Sequence, residues 1–459
     1  MTASAPASVD ATASPALRRR SMLASAVGNG LEWFDWNIYV VFTAYLTANL
    51  FDQGDPGSAL LMTLAIFGVG FVFRPLGGML AGILADRLGR RWVMVTTMLT
   101  MSAASLLIAV LPTFETAGAW ASLLLLVARL AQGLAHGAES TAGYTYIAEI
   151  APAARRGLWS STLAMGVLVG SMLASGLGWA LTTGLGAEAM TEWGWRVPFA
   201  IGAVLAIVVM VLRRTMMETE QFEQQLAPEA DAEAAQPLTR VERRSLWWAS
   251  VRVFWFVAAI TIVFYTWLTA ASSLAQTQHG MDPAAALASS FAAQALCVCL
   301  MPLMGLLSDR VGRRPVALAF SLGFVVLSFP LMGLISSEPW TLLVAQSIAL
   351  AFVACGNSIY SALLAEQFPT RHRARGIGIA MSLSVAIFGG SVLYLNQWLT
   401  GAGLQWVFIL CFVLVCLASA VAVWRMPETR GIALHEIGAR PDAAERAGAG
   451  AGAERGARG

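Results

Sequence analysis

Glu32 and Asp35 stand three residues apart in the stretch GNGLEWFDWNIY, among apolar and aromatic neighbours. On a helix that spacing puts both carboxylates on one face. Two carboxylates in a medium of low polarity cannot both ionise cheaply, so one is expected to hold a proton near neutral pH. Their other reading is a pair of counter-ions for Arg74 or Arg129. Farther along, Arg129, Gln132, His136 and Glu139 follow i, i+3, i+7, i+10 and form one polar stripe. Glu139 is a proton-site candidate on that stripe, and His136 is either a proton relay or a hydrogen-bonded structural residue. Arg74 precedes Pro75, whose ring loosens a helix and frees backbone acceptors. A guanidinium fork suits a carboxylate because it can bind both oxygens. The alternative for Arg74 is a permanent salt bridge to Glu32 or Asp35, and the two can coexist if a ligand competes for the same arginine. The chemistry on offer is proton uptake and carboxylate recognition. No HExxH, GxSxG or paired-histidine spacing points to a metal or a nucleophile, so an enzyme is not expected.

These groups need elements that can hold them away from water. The chain has 459 residues, 57% hydrophobic and 12% charged. That is about half the ~25% charge of a soluble domain, so lipid must solvate much of the surface. A spanning helix takes ~20 apolar residues. Apolar runs lie at 28–50, 58–84, 92–111, 119–148, 158–182 and 195–214, then at 250–275, 284–307, 315–335, 340–366, 376–400 and 403–425. The expected fold is an all-α membrane protein with about twelve transmembrane helices in two six-helix halves. The expected organisation is a disordered N-terminus over 1–20, a first half over 21–214, a central loop over 215–249, a second half over 250–425 and a disordered tail over 426–459. No cleaved signal peptide is expected, and Arg18, Arg19 and Arg20 read as an anchor that retains the N-terminus in the cytoplasm. A net charge of +2 gives no reason to expect a nucleic-acid partner. The five cysteines lie in apolar runs of the second half and read as small packing residues.

A charge at the centre of a bilayer costs at least ~2.5–3.5 kcal/mol, so each buried ionisable group needs a reason. The first half carries Glu32, Asp35, Arg74, Arg129, His136 and Glu139 inside its runs. The second half has polar groups instead, Gln294, Asn357, Asn396 and Gln397. Proton chemistry is therefore expected mainly in the first half. Tyr39, Tyr265 and Asn357 join Arg74 and Arg129 as candidate ligand-binding residues. Trp33, Phe34, Trp36, Tyr144, Tyr146, Trp267 and Tyr394 are further candidate cavity walls, or ordinary packing aromatics.

Sidedness and duplication come from the loops. DRLGRR over Asp86–Arg91 returns as DRVGRR over Asp309–Arg314, and EIAPAARRG is matched by EQFPTRHRARG after the fourth run of each half. The arginines fall in alternate loops, while the intervening ones carry Asp52, Asp55, Glu115, Glu188, Asp282 and Glu338. This is the positive-inside pattern, with an even number of spans and both ends inside. Gly82, Asp86, Arg87, Gly89, Arg90 and Arg91, with Asp309, Arg310, Gly312, Arg313 and Arg314, are the candidate gating loops. Glycines four apart let a neighbouring helix slide, and the aspartate can cap the next helix and pair with an arginine across the seam between halves. The alternative is a topology anchor without a gating role.

The doubled G-x-x-x-D-R-x-G-R-R loop resembles the signature of the major facilitator superfamily over residues ~20–430. GNGLEWFDWNIY, FRPLGG, RLAQGLAHGAES, EWGWRVPF and IFGGS are similar to the metabolite–proton symporters, with EWGWRVPFAIGAVLA and FYTWLT nearest the 2-oxoglutarate permease branch. The resemblance implies symport of a small organic acid with protons by alternating access, with no bound cofactor and the proton gradient as driving force. It also implies a monomer in the cell membrane whose partners are substrate, protons and lipid. Where that family reads S-V-G-G-E, this chain reads A-H-G-A-E, which keeps Glu139 but introduces His136. Uptake of a zwitterion such as proline or betaine is the alternative within the family. A drug exporter of the same fold is disfavoured, because the fifth run lacks the glycine-proline motif usual in exporters.

Overall fold

The computed structural model describes residues 15–88, 90–216, 240–369 and 373–437. Among the described residues every regular element is a helix; nine are long and apolar enough to cross a membrane, two more carry shorter apolar stretches, and grouped by their turns the helices form the twelve expected segments. In the first half these are α1 (Pro15–Val41, continued by Thr43–Leu50), α2 (Pro56–Leu88), α3 (Arg90–Ala109), α4 (Ala119–Ile150), α5 (Arg156–Glu192) and α6 (Val197–Met216). The second half has α7 (Arg240–Val263, continued through Phe264–Thr269 and Ala271–His279), α8 (Pro283–Val311), α9 (Arg313–Leu334), α10 (Pro339–Ser358 and Tyr360–Ala365), α11 (Arg373–Gly401) and α12 (Gln405–Trp424). The start of α5, the end of α8, the start of α9, Glu366 after α10 and the segment around Glu428 meet at one end of the bundle, called here the terminal face.

The halves meet mainly along α5 with α8 and α2 with α11, with α1 against α7 and α4 against α10 nearer the middle. Glycine makes both long seams possible. A Cβ on Gly68 of α2 would stand 2.4 Å from the Gly390 carbonyl of α11, and one on Gly157 of α5 2.7 Å from the Gly305 carbonyl of α8. Within the first half, a Cβ on Gly137 of α4 would reach 2.0 Å from the Arg74 carbonyl. That close approach of α2 and α4 brings their arginines to one place.

The α7 span is the most enclosed and is not a plain α-helix. Phe264–Thr269 winds as a buried π-turn. The wider turn disturbs the regular backbone ladder, and two amides take up carbonyls there. Gln346 donates to the Trp267 carbonyl and Gln294 to the Leu268 carbonyl, each at 2.8 Å. The bulge carries Tyr265 against aromatic rings of the first half.

Three expected boundaries differ. Helix α1 already begins at Pro15, and α7 begins at Arg240 inside the stretch assigned to the central loop. The tail is ordered as far as Ile437 instead of losing structure at 426. Its anchor is Glu428, whose carboxylate accepts from the backbone N–H groups of Arg313 at 2.8 Å and Arg314 at 3.0 Å and so caps α9. Residues 1–14, 217–239 and 438–459 of the expected termini and loop lie outside the described residues.

Candidate functional site

Near the middle of the bundle Trp36 is the centre of a cationic, aromatic cluster. From α2, Arg74 lies 4.0 Å from the Trp36 ring and 4.2 Å from the Phe71 ring. Arg129 from α4 lies 4.2 Å from the same indole and 4.3 Å from the Tyr39 ring. His136, two turns further along α4, stacks on Trp36 with ring centres 5.3 Å apart. The second half contributes Tyr265, edge-on to Phe71 at 5.0 Å and to Phe67 at 5.9 Å. The stripe read on α4 thus faces inward: Arg129, Gln132 and His136 are all buried.

Neither guanidinium has a carboxylate within 4 Å among the described residues, so the expected salt bridge of Arg74 to Glu32 or Asp35 is not formed. Arg129 donates from Nη1 to Gln132 Oε1 at 2.8 Å. Gln132 in turn donates from Nε2 to Asp35 Oδ2 at 3.1 Å and to Ser105 Oγ at 2.9 Å. Ser105 donates to Asp35 Oδ1 at 2.5 Å. Buried donors without a well-formed hydrogen bond among the described residues remain: Nε and Nη2 of both arginines, Trp36 Nε1 and the Tyr265 hydroxyl, although Tyr265 stands close enough to Arg74 and Trp36 to interact with both. Each such donor costs about 1–3 kcal/mol, and cation–π contacts return only ~0.5–2 kcal/mol each. The cluster is therefore costly as it stands, and an anionic ligand would offset that cost.

The other predicted residues fall as follows. Among the described residues Asp35 accepts from Ser105 and Gln132 with Arg129 nearby, whereas Glu32 lies nearer Tyr144. The reason is that Asp35 is turned toward α3, α4 and α6, where a Cβ on Gly202 would stand 2.4 Å from its Oδ1. Tyr39 contributes a ring, since its hydroxyl donates to the Thr63 carbonyl at 2.9 Å. Asn357, half-buried in α10, takes no part in the network around the arginines. The side chain of Glu139 lies outside the described residues. Sequence reading passed over Ser105, Phe67 and Phe71, which carry no signal apart from their neighbours in space.

The terminal face carries a second charged cluster. Arg156 at the start of α5 pairs with Glu366 after α10 at 2.7 Å, across the two halves. Arg313 pairs with Asp309 at 2.7 Å and with Glu366 at 3.3 Å. Asp309 accepts from the backbone N–H groups of Gly157 at 2.8 Å and Leu158 at 2.9 Å. The aspartate of the second loop thus caps a helix of the opposite half and pairs inside its own half, the reverse of the expected arrangement. The reason is that the α9 N-terminus is already occupied by Glu428. Gly312, at φ 111°, is held there because a Cβ would stand 2.5 Å from the Glu428 carboxylate. Arg310 offers its backbone carbonyl to Arg430, and Arg314 donates to the Trp424 carbonyl. Gly89 lies outside the described residues, as do the side chains of Asp86, Arg87, Arg90 and Arg91 and the surroundings of Gly82. Glu366 was not among the predicted site residues, although it stands at a repeated position, matching Glu149 in the first half.

Comparison with known proteins agrees with this architecture. The model of the Major Facilitator Superfamily matches residues 26–303 and 284–448. The chain is 35% identical to the alpha-ketoglutarate permease of Escherichia coli (strain K12), over 88% of this chain and 92% of that protein. It is 32% identical to the proline/betaine transporter of Salmonella typhimurium, over 81% of this chain and 76% of that protein. Among solved structures, the proton:xylose symporter XylE superposes with a TM-score of 0.73 at 19% identity, over 92% of this chain and 98% of that one.

Proposed function

The chain belongs to the major facilitator superfamily, and from that membership we propose that it imports a small organic acid, such as 2-oxoglutarate or citrate, together with protons. The terminal face is cytoplasmic in this reading, because the arginine-bearing loops gather there. The protein is then a multi-pass transporter of the cell membrane, and the two halves rock about the central cluster to expose it to either side.

One observation carries the choice of substrate class: two buried arginines with unfilled donors and no ion pair among the described residues. Two forks in one aromatic box suit a ligand with more than one carboxylate. Arg74 and Arg129 bind the acid, while Tyr39 and Tyr265 form walls. Asp35 carries the proton, with Glu32, His136 and Glu139 as further groups on the proton path.

A zwitterion is the second reading, favoured by the rings of Trp36, Phe67, Phe71 and Tyr265, since aromatic faces cage quaternary ammonium groups. The faces of Trp36 and Phe71 are already taken by guanidinium groups, which would repel such a ligand. Uptake into vesicles containing the purified protein separates the readings. Labelled 2-oxoglutarate and citrate are expected to accumulate only with an inward proton gradient. Equal uptake with and without the gradient would sink symport, and accumulation of betaine but neither acid would sink the substrate class.

A further inference from the structure

Between the arginine that faces the ligand and the carboxylate that takes the proton stands one neutral side chain. Gln132 spans them, accepting from Arg129 Nη1 at 2.8 Å and donating to Asp35 Oδ2 at 3.1 Å. All hydrogen bonds in this chain run one way, from guanidinium through amide to carboxylate. The second amide hydrogen goes to Ser105 Oγ at 2.9 Å, and Ser105 gives its own hydrogen to Asp35 Oδ1 at 2.5 Å. Every member is buried, so water does not break the chain.

We propose that Gln132 is the coupling residue of transport, a polar relay that tells Arg129 whether Asp35 holds a proton. The inference rests on the reading of this chain as a proton-coupled carboxylate importer. A proton from water on the outer side adds to Asp35 Oδ2 and forms an O–H bond. That hydrogen faces the Nε2–H of Gln132, and two donors cannot share one contact. The amide turns over, gives its oxygen to the new O–H and turns its NH2 toward Arg129, whose guanidinium then faces a donor and is pushed off the amide toward the ligand side. Arg129 Nη1 thereby loses its acceptor and joins the Nε and Nη2 donors that already lack one. A substrate carboxylate supplies the missing oxygens. Loss of the proton to the inner side reverses the turn, and the amide oxygen again competes with substrate for Arg129. Linkage makes the effect mutual, so binding of the acid drives proton uptake.

The surroundings leave the relay little competition. Arg129 is the charged group acting on Asp35 among the described residues, and Arg74 acts on Arg129 in turn. Glu32 belongs to α1 one turn away, and His136 to α4 one turn beyond Gln132. Helices α3 and α6 present Ser105 and Gly202 to Asp35. Helix α5 packs on α1 through Gly166 and Gly170 and brings no titratable group there.

The test uses the full chain in detergent with 2-oxoglutarate as probe. Its dissociation constant is measured in acid and in alkaline buffer, and proton uptake on binding is followed with a pH dye. The wild-type chain is expected to bind about tenfold more tightly in acid, within the usual range for coupled sites, and to take up a proton. Gln132→Leu is expected to bind with one affinity in both buffers and to take up none. Gln132→Asn, whose amide is too short to reach both partners, should behave alike and guards against misfolding of the leucine variant. If both variants keep the wild-type ratio and proton uptake, or weaken equally in both buffers, the relay is wrong while the transport reading stands. A wild-type chain whose binding ignores pH would remove both.

Discussion

Of the five arginines buried among the described residues, Arg74 and Arg129 form one pair and Arg156 and Arg313 another, with opposite surroundings. At the terminal face, Arg156 and Arg313 reach Glu366 at 2.7 and 3.3 Å, and Arg313 also holds Asp309 at 2.7 Å. Their remaining bonds go to nearby backbone and side chains, including the Ile432 carbonyl for Arg156, and Arg313 Nη2 alone of this pair lacks a partner among the described residues. In the middle of the bundle Arg74 and Arg129 have aromatic faces, one amide oxygen and several empty donors. The first pair closes a surface with charges the chain itself provides. The second leaves room for charge from outside. A paired buried arginine is a structural contact, and an unpaired one is costly unless a ligand completes it. In the proposed cycle the terminal cluster must come apart each time the site opens inward, whereas the central cluster is filled and emptied.

The largest effects should follow from the central pair. Arg129→Lys and Arg74→Lys keep a positive charge but lose the planar fork. A hydrogen bond to a charged group is worth about 1.5–3 kcal/mol, so the expected loss in kcat/KM for 2-oxoglutarate uptake is roughly tenfold to a hundredfold. Arg156→Lys retains a point charge beside Glu366 and should cost less than tenfold in the same vesicle assay. Equal losses at the two places would erase the distinction between filled and unfilled arginines.

Next comes the closure of the terminal face. Glu366→Gln removes the only carboxylate within 4 Å of Arg156 among the described residues. Breaking a buried pair on one side costs about 3–5 kcal/mol. Because the contact joins the two halves, that cost falls on the closed terminal face and favours its opening. Spin or dye labels on the terminal ends of α5 and α8 are expected to report a population shift toward larger separations. An unchanged distance distribution would mean that the Asp309 cap and the glycine seam hold the face shut without the ion pair.

Much of this contrast was legible in the chain, and the rest was not for a physical reason. Apolar run length marks most of the spans, nine of them among the described residues, and the alternating arginine-rich loops supply the rest of the count. The central arginines were visible because a charge inside such a run is expensive and needs a role. Partnership was harder. Arg156 and Glu366 lie 210 positions apart, and their meeting depends on how the halves dock. Asp309 looked ready to cap the helix that follows it, yet Glu428 occupies that end and leaves Asp309 to reach α5. Asp35 sits three residues from Glu32, but rotation of α1 sends it toward Ser105 and Gln132. Helical spacing says which residues share a face and not which neighbour that face meets. The duplication held one clue that reached the third dimension. Arg156 donates to the Ala148 carbonyl and Arg373 to the Ala365 carbonyl, each eight positions upstream, so the arginine after each matched segment reaches back to the same relative position in both halves.

The smallest expected effect tests whether the tail belongs to the terminal cluster. Arg156 and Arg373 also donate to the Ile432 and Leu434 carbonyls, each at 3.1 Å, and Thr429 donates to Glu366 at 2.5 Å. Glu428 anchors this segment by capping α9, and loss of a helix cap costs about 1 kcal/mol. Glu428→Ala is therefore expected to lower stability in detergent by that amount in a denaturation series. The dissociation constant for 2-oxoglutarate should stay within twofold, because the substitution lies far from Arg74 and Arg129. Glu428→Gln keeps an acceptor oxygen and should recover part of the loss. If Glu428→Ala instead altered binding as strongly as Arg74→Lys, the two clusters would be one coupled unit, and the separation between structural and ligand-facing arginines would have to be redrawn.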